Sequence, residues 1–363
     1  MLFRKERFHM ITIISPADNY NFSLLSPAQR LFLERTSHMT AEEAVAVRGL
    51  PYPWLDEGVF DSPAASEPAS LIIKWKPSDP LHNMALHIST SQDFSVTERI
   101  ATVSRVFYDA ADGSFAVTVS NLLVGATYYY YISVGEETSE VRTFTTADGE
   151  IRSIRAEGVL NVRDTGGRYN MEGKRIRQGL IYRGANMNGL LKKEADACNG
   201  KSVLRDDLGI KTDLDLRFEA VGKYEFCPLG DHVQYKLFTA DAYEGLFKEG
   251  QDELYRAIFD VIADEGNYPI FYHCVAGADR TGSVGFLLDA ILGMSDEDIL
   301  ANYQLTTLTE ERCWYTNVRF FIEEINKRYP NLSLREQLMR IVREYFCITE
   351  ETIERIRRNL LED

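Results

Sequence analysis

One cysteine in this chain has neighbours that could make it a nucleophile. It lies in Tyr272-His-Cys274-Val-Ala-Gly-Ala-Asp-Arg280-Thr-Gly282. The residues leading to it, Pro269-Ile-Phe-Tyr-His273, form a short apolar run that reads as a buried strand, and a helix is expected to begin near Arg280. A strand that ends in a loop of small residues and enters a helix can aim successive backbone N–H groups at one point, where a phosphate is held. In that field a thiolate is the favoured form of Cys274. Arg280 can fold back over the loop, and its planar fork matches two phosphate oxygens. Thr281 can donate to the sulfur as it leaves phosphorus. The expected phosphate-binding set is Val275, Ala276, Gly277, Ala278, Asp279 and Arg280. His273 supports the loop from behind by donating to its backbone and tuning the thiol, or else is a packed strand-end histidine. The bland alternative for the whole stretch is a strand–turn–helix around an inert buried cysteine. His before the cysteine, Ala-Gly inside the loop and Arg-Thr-Gly after it weigh against that.

Breaking a phosphate ester needs an acid for the leaving oxygen. Asp241 is the first candidate, in Phe238-Thr-Ala-Asp-Ala242, a loop directly after a predicted strand. Asp215, at a strand end in Asp-Leu-Arg217, is the second, with pairing to Arg217 as its structural alternative. Asp279, inside the loop, is the third. A carboxylate beside a bound phosphate is repulsive unless protonated or turned outward, so Asp279 reads as a helix-start residue or an aid to water activation. Arg163, Arg183 and Arg217 either add positive charge around the site or pair with nearby carboxylates.

These residues need a scaffold. Ile210, Thr212, Leu214 and Leu216 alternate as a strand, as do Val233, Tyr235 and Leu237. Leu254, Ile258, Val261 and Ile262 share one helix face. Val284, Leu287, Leu288, Ile291 and Leu292 share another, stopping at Gly293. Ser333 and Glu336 form a capping box before Leu338, Ile341, Val342 and Tyr345. Strand–helix–strand order predicts an α/β core over 148–363, with a largely parallel sheet flanked by helices and a helical C-terminal part. Residues 10–147 read as all-β, with strands near 70–75, 84–89, 114–120, 127–133 and 141–145. Phe115, Val117 and Val119 are expected on one face, and Tyr128 to Tyr131 should alternate between core and surface. An all-β sandwich domain over 1–147 follows, with a poorly fitting stretch at about 30–65 whose Pro51, Pro53 and Trp54 mark an insertion or a packing arm. The boundary is placed at Asp148-Gly149.

The loop resembles the signature His-Cys-x5-Arg-[Ser/Thr] of the cysteine-dependent protein tyrosine phosphatase superfamily. Within it, Cys-x-Ala-Gly-x-Asp-Arg-Thr-Gly is similar to an atypical bacterial group that includes mycobacterial tyrosine phosphatase B. Asn161-Val-Arg-Asp-Thr-Gly-Gly167, Gly179-Leu-Ile-Tyr-Arg-Gly184 and Leu208-Gly-Ile-Lys-Thr-Asp-Leu-Asp-Leu-Arg217 resemble further motifs of that group. The resemblance spans roughly 155–310. It implies hydrolysis of phosphomonoesters through a cysteinyl-phosphate, with no metal and no cofactor. Dual-specificity phosphatases carry their acid on a loop like that of Asp241. The first domain resembles fibronectin type III, through Trp75, the Asn121-to-Tyr128 turn and the Phe144-Thr-Thr146 strand. A protein or glycan partner for it is the corresponding expectation.

Composition narrows the substrate. The 363 residues carry 40 basic and 55 acidic side chains, a net charge of −15, which speaks against a nucleic-acid footprint or a polybasic membrane patch. The variable loop positions Val275, Ala276 and Ala278 are uncharged, so phosphotyrosine-type or dual-specificity substrates lead and phosphoinositides or inositol phosphates follow. A phospho-ligand-binding pseudophosphatase module is the non-enzyme alternative. The five cysteines, all in the second half, have no metal or disulfide spacing. No apolar run is long enough to span a membrane, and Met10–Ile14 is too short for a signal core. A cytoplasmic protein, or an exported one whose signal has been removed, are the two expectations.

Overall fold

The structure is a computed structural model that describes residues 11–37, 58–60, 65–77, 83–192, 199–218, 226–309 and 316–363. Pro51, Pro53, Trp54, Cys198 and Cys313 lie outside the described residues. The chain forms two compact units, one of Met1–Leu24 with Ala69–Asp148 and one of Leu25–Pro68 with Gly149–Asp363.

The first unit is built from β1 (Thr12–Ser15), β2 (Tyr20–Phe22), β3 (Leu71–Lys76), β4 (Met84–Ser89), β5 (Thr102–Val103), β6 (Phe107–Asp109), β7 (Ser114–Ser120), β8 (Thr127–Val134), β9 (Glu137–Thr138) and β10 (Arg142–Thr146). Among the described residues one sheet runs β1-β3-β7-β5 with β6 on β7, and the other runs β2-β10-β8-β4 with β9 on β8. Pairing is antiparallel except between β2 and β10. Trp75, Val117 and Val119 of the first sheet join Tyr128, Tyr130 and Phe144 of the second in one apolar core. The period-2 alternation of a strand explains the tyrosine run: Tyr128 and Tyr130 are buried, Tyr129 and Tyr131 half-buried. Phe115, expected beside Val117 and Val119, is only half-buried.

The second unit carries a sheet of order β11-β12-β15-β13-β14, from β11 (Arg163–Asp164), β12 (Ile181–Gly184), β13 (Thr212–Asp215), β14 (Gln234–Leu237) and β15 (Ile270–His273). Only β11 is antiparallel to its neighbour. Every residue of β12, β13 and β15 is buried, as a parallel sheet covered on both faces requires. Helices α2 (Gln251–Ala263) and α3 (Asp279–Leu292) contribute Ile258, Phe259, Val284 and Leu288 to the main core. From Thr281 to Leu292 α3 is buried on all sides, so it is an interior helix, and Gly293 ends it with φ +81°. The later helices are α4 (Asp296–Gln304), α5 (Thr316–Arg328), α6 (Leu334–Arg340) and α7 (Glu350–Leu360), and α6 starts with the Ser333/Glu336 capping box read from the sequence.

The stretch read as all-β contains a helix, α1 (Pro27–Thr36). Ser26 accepts from the Gln29 N–H, the Gln29 side chain accepts from the Ser26 N–H, and Pro27 opens the helix. This segment also belongs to the second unit. Phe32 is buried with Phe60, Ile151, Leu305 and Leu308, and Gln29 Nε2 donates to Ser153 Oγ at 2.9 Å. The described residues 25–37, 58–60 and 65–68 therefore group with the α/β unit.

Candidate active site

The site forms where the central strand β15 runs into α3. His273 is the last strand residue, and its carbonyl accepts from the Leu216 N–H at 2.8 Å, which ties the strand end to the segment after β13. Cys274 follows, 1% exposed.

The orientation of the next peptides decides what the loop can hold. The Val275 carbonyl accepts from the Asn186 N–H at 3.0 Å and from Asn186 Nδ2 at 2.8 Å. The Ala276 carbonyl accepts from Asn161 Nδ2 at 3.2 Å. The Gly277 carbonyl accepts from the same nitrogen at 3.2 Å and from Arg183 Nη2 at 3.0 Å. The Ala278 carbonyl accepts from the Gly282 N–H, the first turn of α3. In a trans peptide the N–H points away from the C=O. With these carbonyls bound on the outside, the N–H groups of Ala276, Gly277 and Ala278 face inward. Gly277 has φ +71°, and a Cβ there would stand 2.5 Å from the Gly184 carbonyl carbon and oxygen, so only glycine fits.

Arg280 is half-buried at the rim. Its Nε donates to the Ala240 carbonyl at 3.0 Å, and its guanidinium lies 4.2 Å from the Phe218 ring centroid. These contacts fix the fork beside the loop that carries Asp241. That loop is pinned by the Asp241 N–H donating to Gln251 Oε1 at 2.9 Å and by the Tyr255 hydroxyl donating to the Asp241 carbonyl at 2.7 Å. The Asp241 carboxylate is 20% exposed and pairs with Lys248 Nζ at 2.9 Å. Lys248 is 65% exposed, so the pair is solvent-screened and easily opened.

Asp215 is placed differently. It is fully buried, and both oxygens accept from Arg217, at 2.7 to 3.1 Å; Oδ2 also accepts from the Tyr235 hydroxyl at 2.9 Å. Burial pushes its carboxyl up, but the Arg217 hydrogen bonds, with the charges of His273 and Arg217, outweigh it and hold the group below the usual range. Asp279 opens α3 and accepts from the Tyr243 hydroxyl at 2.8 Å, which lies 2.5 Å from the Tyr303 hydroxyl. Burial, then Tyr303 and Asp279, push the Tyr243 phenol up, so it stays a proton donor. Tyr243 holds φ +56°, a conformation rare for a bulky residue and one that clusters at functional sites. The Thr281 hydroxyl is fully buried and makes no hydrogen bond among the described residues.

The three arginines divide. Arg217 pairs with Asp215. Arg163 and Arg183 lie beneath the loop with no carboxylate partner among the described residues. Arg163 donates to Asn161 Oδ1 at 2.7 Å and to Thr306 Oγ1 at 3.0 Å, and burial, then the neighbouring Arg183, push it well below its ordinary value. The Asp289 carboxylate offsets part of that charge.

A model of the tyrosine phosphatase family matches residues 154–362, more than half of the chain. The chain belongs to the tyrosine phosphatase family. A candidate tyrosine-protein phosphatase of Cupriavidus necator is 28% identical to it over 40% of this chain and 59% of that protein, so the chain spans about three fifths of that relative's length. Among solved structures, the core catalytic domain of the PP-IP phosphatase SIW14 from S. cerevisiae is similar at 17% identity and a TM-score of 0.30, covering 42% of this chain and 91% of that one. In this member of the tyrosine phosphatase family, sequence reading missed Asn186, Phe218, Tyr243 and Tyr255, and gave Asp213, inside a quoted motif, no role. Asn161 stood in a quoted motif without a role. Its work, holding two carbonyls 115 and 116 residues away, has no local signal.

Proposed function

We propose that the chain hydrolyses phosphomonoesters through a cysteinyl-phosphate. The observation that carries this reading is the binding of the Val275, Ala276 and Gly277 carbonyls by Asn186, Asn161 and Arg183, which turns the N–H groups of Ala276, Gly277 and Ala278 to the other side of the loop. In the first step the Cys274 thiolate attacks phosphorus, Arg280 and the loop amides take the equatorial oxygens, and the leaving oxygen departs with a proton from Asp241. In the second, water attacks phosphorus, gives its proton to the Asp241 carboxylate, and the sulfur leaves as thiolate with Thr281 donating to it. The pinned Asp241 loop beside Arg280 supports that assignment. Asp215 is bound to Arg217 and Tyr235 and holds its charge below the working range of an acid. Asp279, oriented by Tyr243, fits an auxiliary part in aligning water.

Val275, Ala276 and Ala278 offer no charge for a second phosphate, which supports phosphotyrosine-type esters over inositol phosphates. Vanadate-sensitive hydrolysis of p-nitrophenyl phosphate that persists in EDTA and disappears in Cys274→Ser is the expected result. No turnover between about pH 5 and 7 sinks the reading, since the ideal catalytic pKa lies near the operating pH. A panel of phosphotyrosine peptides against phosphoinositides then decides the substrate class. Phosphopeptide binding without phosphate release would make the chain a binding module instead.

A further inference from the structure

His273 immediately precedes the nucleophile and is fully buried. Its Nε2 lies 2.9 Å from Asp213 Oδ1, and its Nδ1 lies 3.2 Å from the Cys274 carbonyl oxygen. An ionised carboxylate and a carbonyl are both pure acceptors, so a ring that satisfies both must donate from both nitrogens and carry a positive charge. Asp215 Oδ1 stands 3.9 Å from Nδ1 as a second carboxylate on the same strand, β13. The opposing charge nearby is Arg217, already bound to Asp215, to which Tyr235 on β14 also donates. The Cys227 thiol beside Asp213 stays neutral, because burial and that carboxylate push it up. The Phe271 ring, 5.6 Å away on β15, adds no charge. Asp213 is itself fully buried, and its Oδ2 makes no hydrogen bond among the described residues. A buried carboxylate with one oxygen unbonded and only the weak Cys227 thiol as a further side-chain donor needs a cation against it.

We propose that Asp213 is a positioning residue that keeps His273 doubly protonated, so that an imidazolium behind the loop holds the Cys274 carbonyl and favours the thiolate. Its kinetic consequence rests on the phosphatase reading above; the charge state of the ring does not. Burial alone drives a histidine toward neutrality, yet here the charge and hydrogen bond of Asp213, with Asp215 behind it, prevail and raise the group above its ordinary value.

The test uses the full chain labelled with nitrogen-15 histidine, the His273 signals being identified by their loss in His273→Asn. In the unmodified protein both ring nitrogens should be protonated at pH 7; in Asp213→Asn the ring should be neutral there. The pH midpoint for alkylation of Cys274 by iodoacetamide, and the acid limb of kcat/KM for p-nitrophenyl phosphate, should move up by about one pH unit in Asp213→Asn. His273→Asn should move them as far, and the double variant no further. A singly protonated ring at pH 7 in the unmodified protein overturns the proposal, whatever the activity. So does a lowered plateau without displacement, the mark of a merely structural contact, or a profile that overlies the original. If Asp213→Asn does not fold, the ring titration of the unmodified protein decides. Absence of turnover leaves the spectroscopic and alkylation results standing and counts against the proposed function instead.

Discussion

Replacing Asn161 by alanine removes the one side chain among the described residues that reaches the carbonyls of both Ala276 and Gly277 and also accepts from Arg163. The two bonds to carbonyls are long, 3.2 Å each, and the Gly277 carbonyl keeps Arg183. They are worth about 0.5 kcal/mol apiece. The bond from Arg163 Nη1 is short, 2.7 Å, and its donor is a buried cation, so its loss costs about 1.5–3 kcal/mol. The variant should therefore be about 2.5–4 kcal/mol less stable in urea unfolding, by the same magnitudes. The functional effect has a separate origin. Once the Ala276 peptide can rotate, the Gly277 N–H no longer points steadily inward, and one donor to the transition state is weakened. Removing one such donor costs about 2.7–4 kcal/mol when it is lost outright. A loosened donor should cost part of that, so kcat/KM for p-nitrophenyl phosphate should fall about 10–100-fold. Vanadate inhibition should weaken in parallel, because vanadate samples the same amides. Unfolding and steady-state kinetics at one temperature give both numbers. A variant that loses the stability but keeps kcat/KM and vanadate affinity within about twofold, well under the tenfold that 1.4 kcal/mol represents, would show that the outward carbonyls do not organise the cup.

Asp241→Asn should lower kcat about 100-fold or more for poor leaving groups such as alkyl phosphates and little for p-nitrophenyl phosphate, because only poor leaving groups need the proton; the same pattern in Asp279→Asn instead would move the acid to the loop. Asp215→Asn strands buried Arg217 and should destabilise by about 3–5 kcal/mol at neutral pH. Because the folded carboxyl lies below its ordinary 3.8, its stabilisation is complete above that value and is lost as pH falls through the folded one, so urea midpoints of variant and original should converge in strong acid. Gly277→Ala should cost at least about 1–3 kcal/mol from its positive φ alone, and the clash with Gly184 should lower kcat/KM more than tenfold; an active, stable variant would contradict the close backbone approach.

The nucleophilic loop was legible because everything that defines it is contiguous. Strand, small residues, arginine and helix start follow one another between Tyr272 and Gly282, and chain direction alone makes that strand end and helix start meet. Strands β13, β14 and β15 and helices α2, α3 and α6 were legible for the same reason, since amphipathic periods of two and 3.6 residues are local properties, whereas β11, β12, α4, α5 and α7 were not read. Helix α1 carried its own Ser-x-x-Gln box and leading proline, but its destination did not follow from them: Phe32 and Gln29 are matched by Leu305, Leu308 and Ser153, which only the folded chain brings near. Very short strands such as β5 and β9 contain too few residues to show a period.

What the sequence by itself determined, then, is that a cysteine, an arginine and a threonine share one turn between a strand and a helix. Only the tertiary structure decided which way the peptides of that turn face, because the donors that hold them come from Asn161, Arg183 and Asn186, on other strands and loops of the unit. It also decided that Asp215 serves Arg217 and that Asp213 serves His273. A carboxylate's role depends on whether its neighbours in space are cations, donors or water, and spacing along the chain carries no record of that.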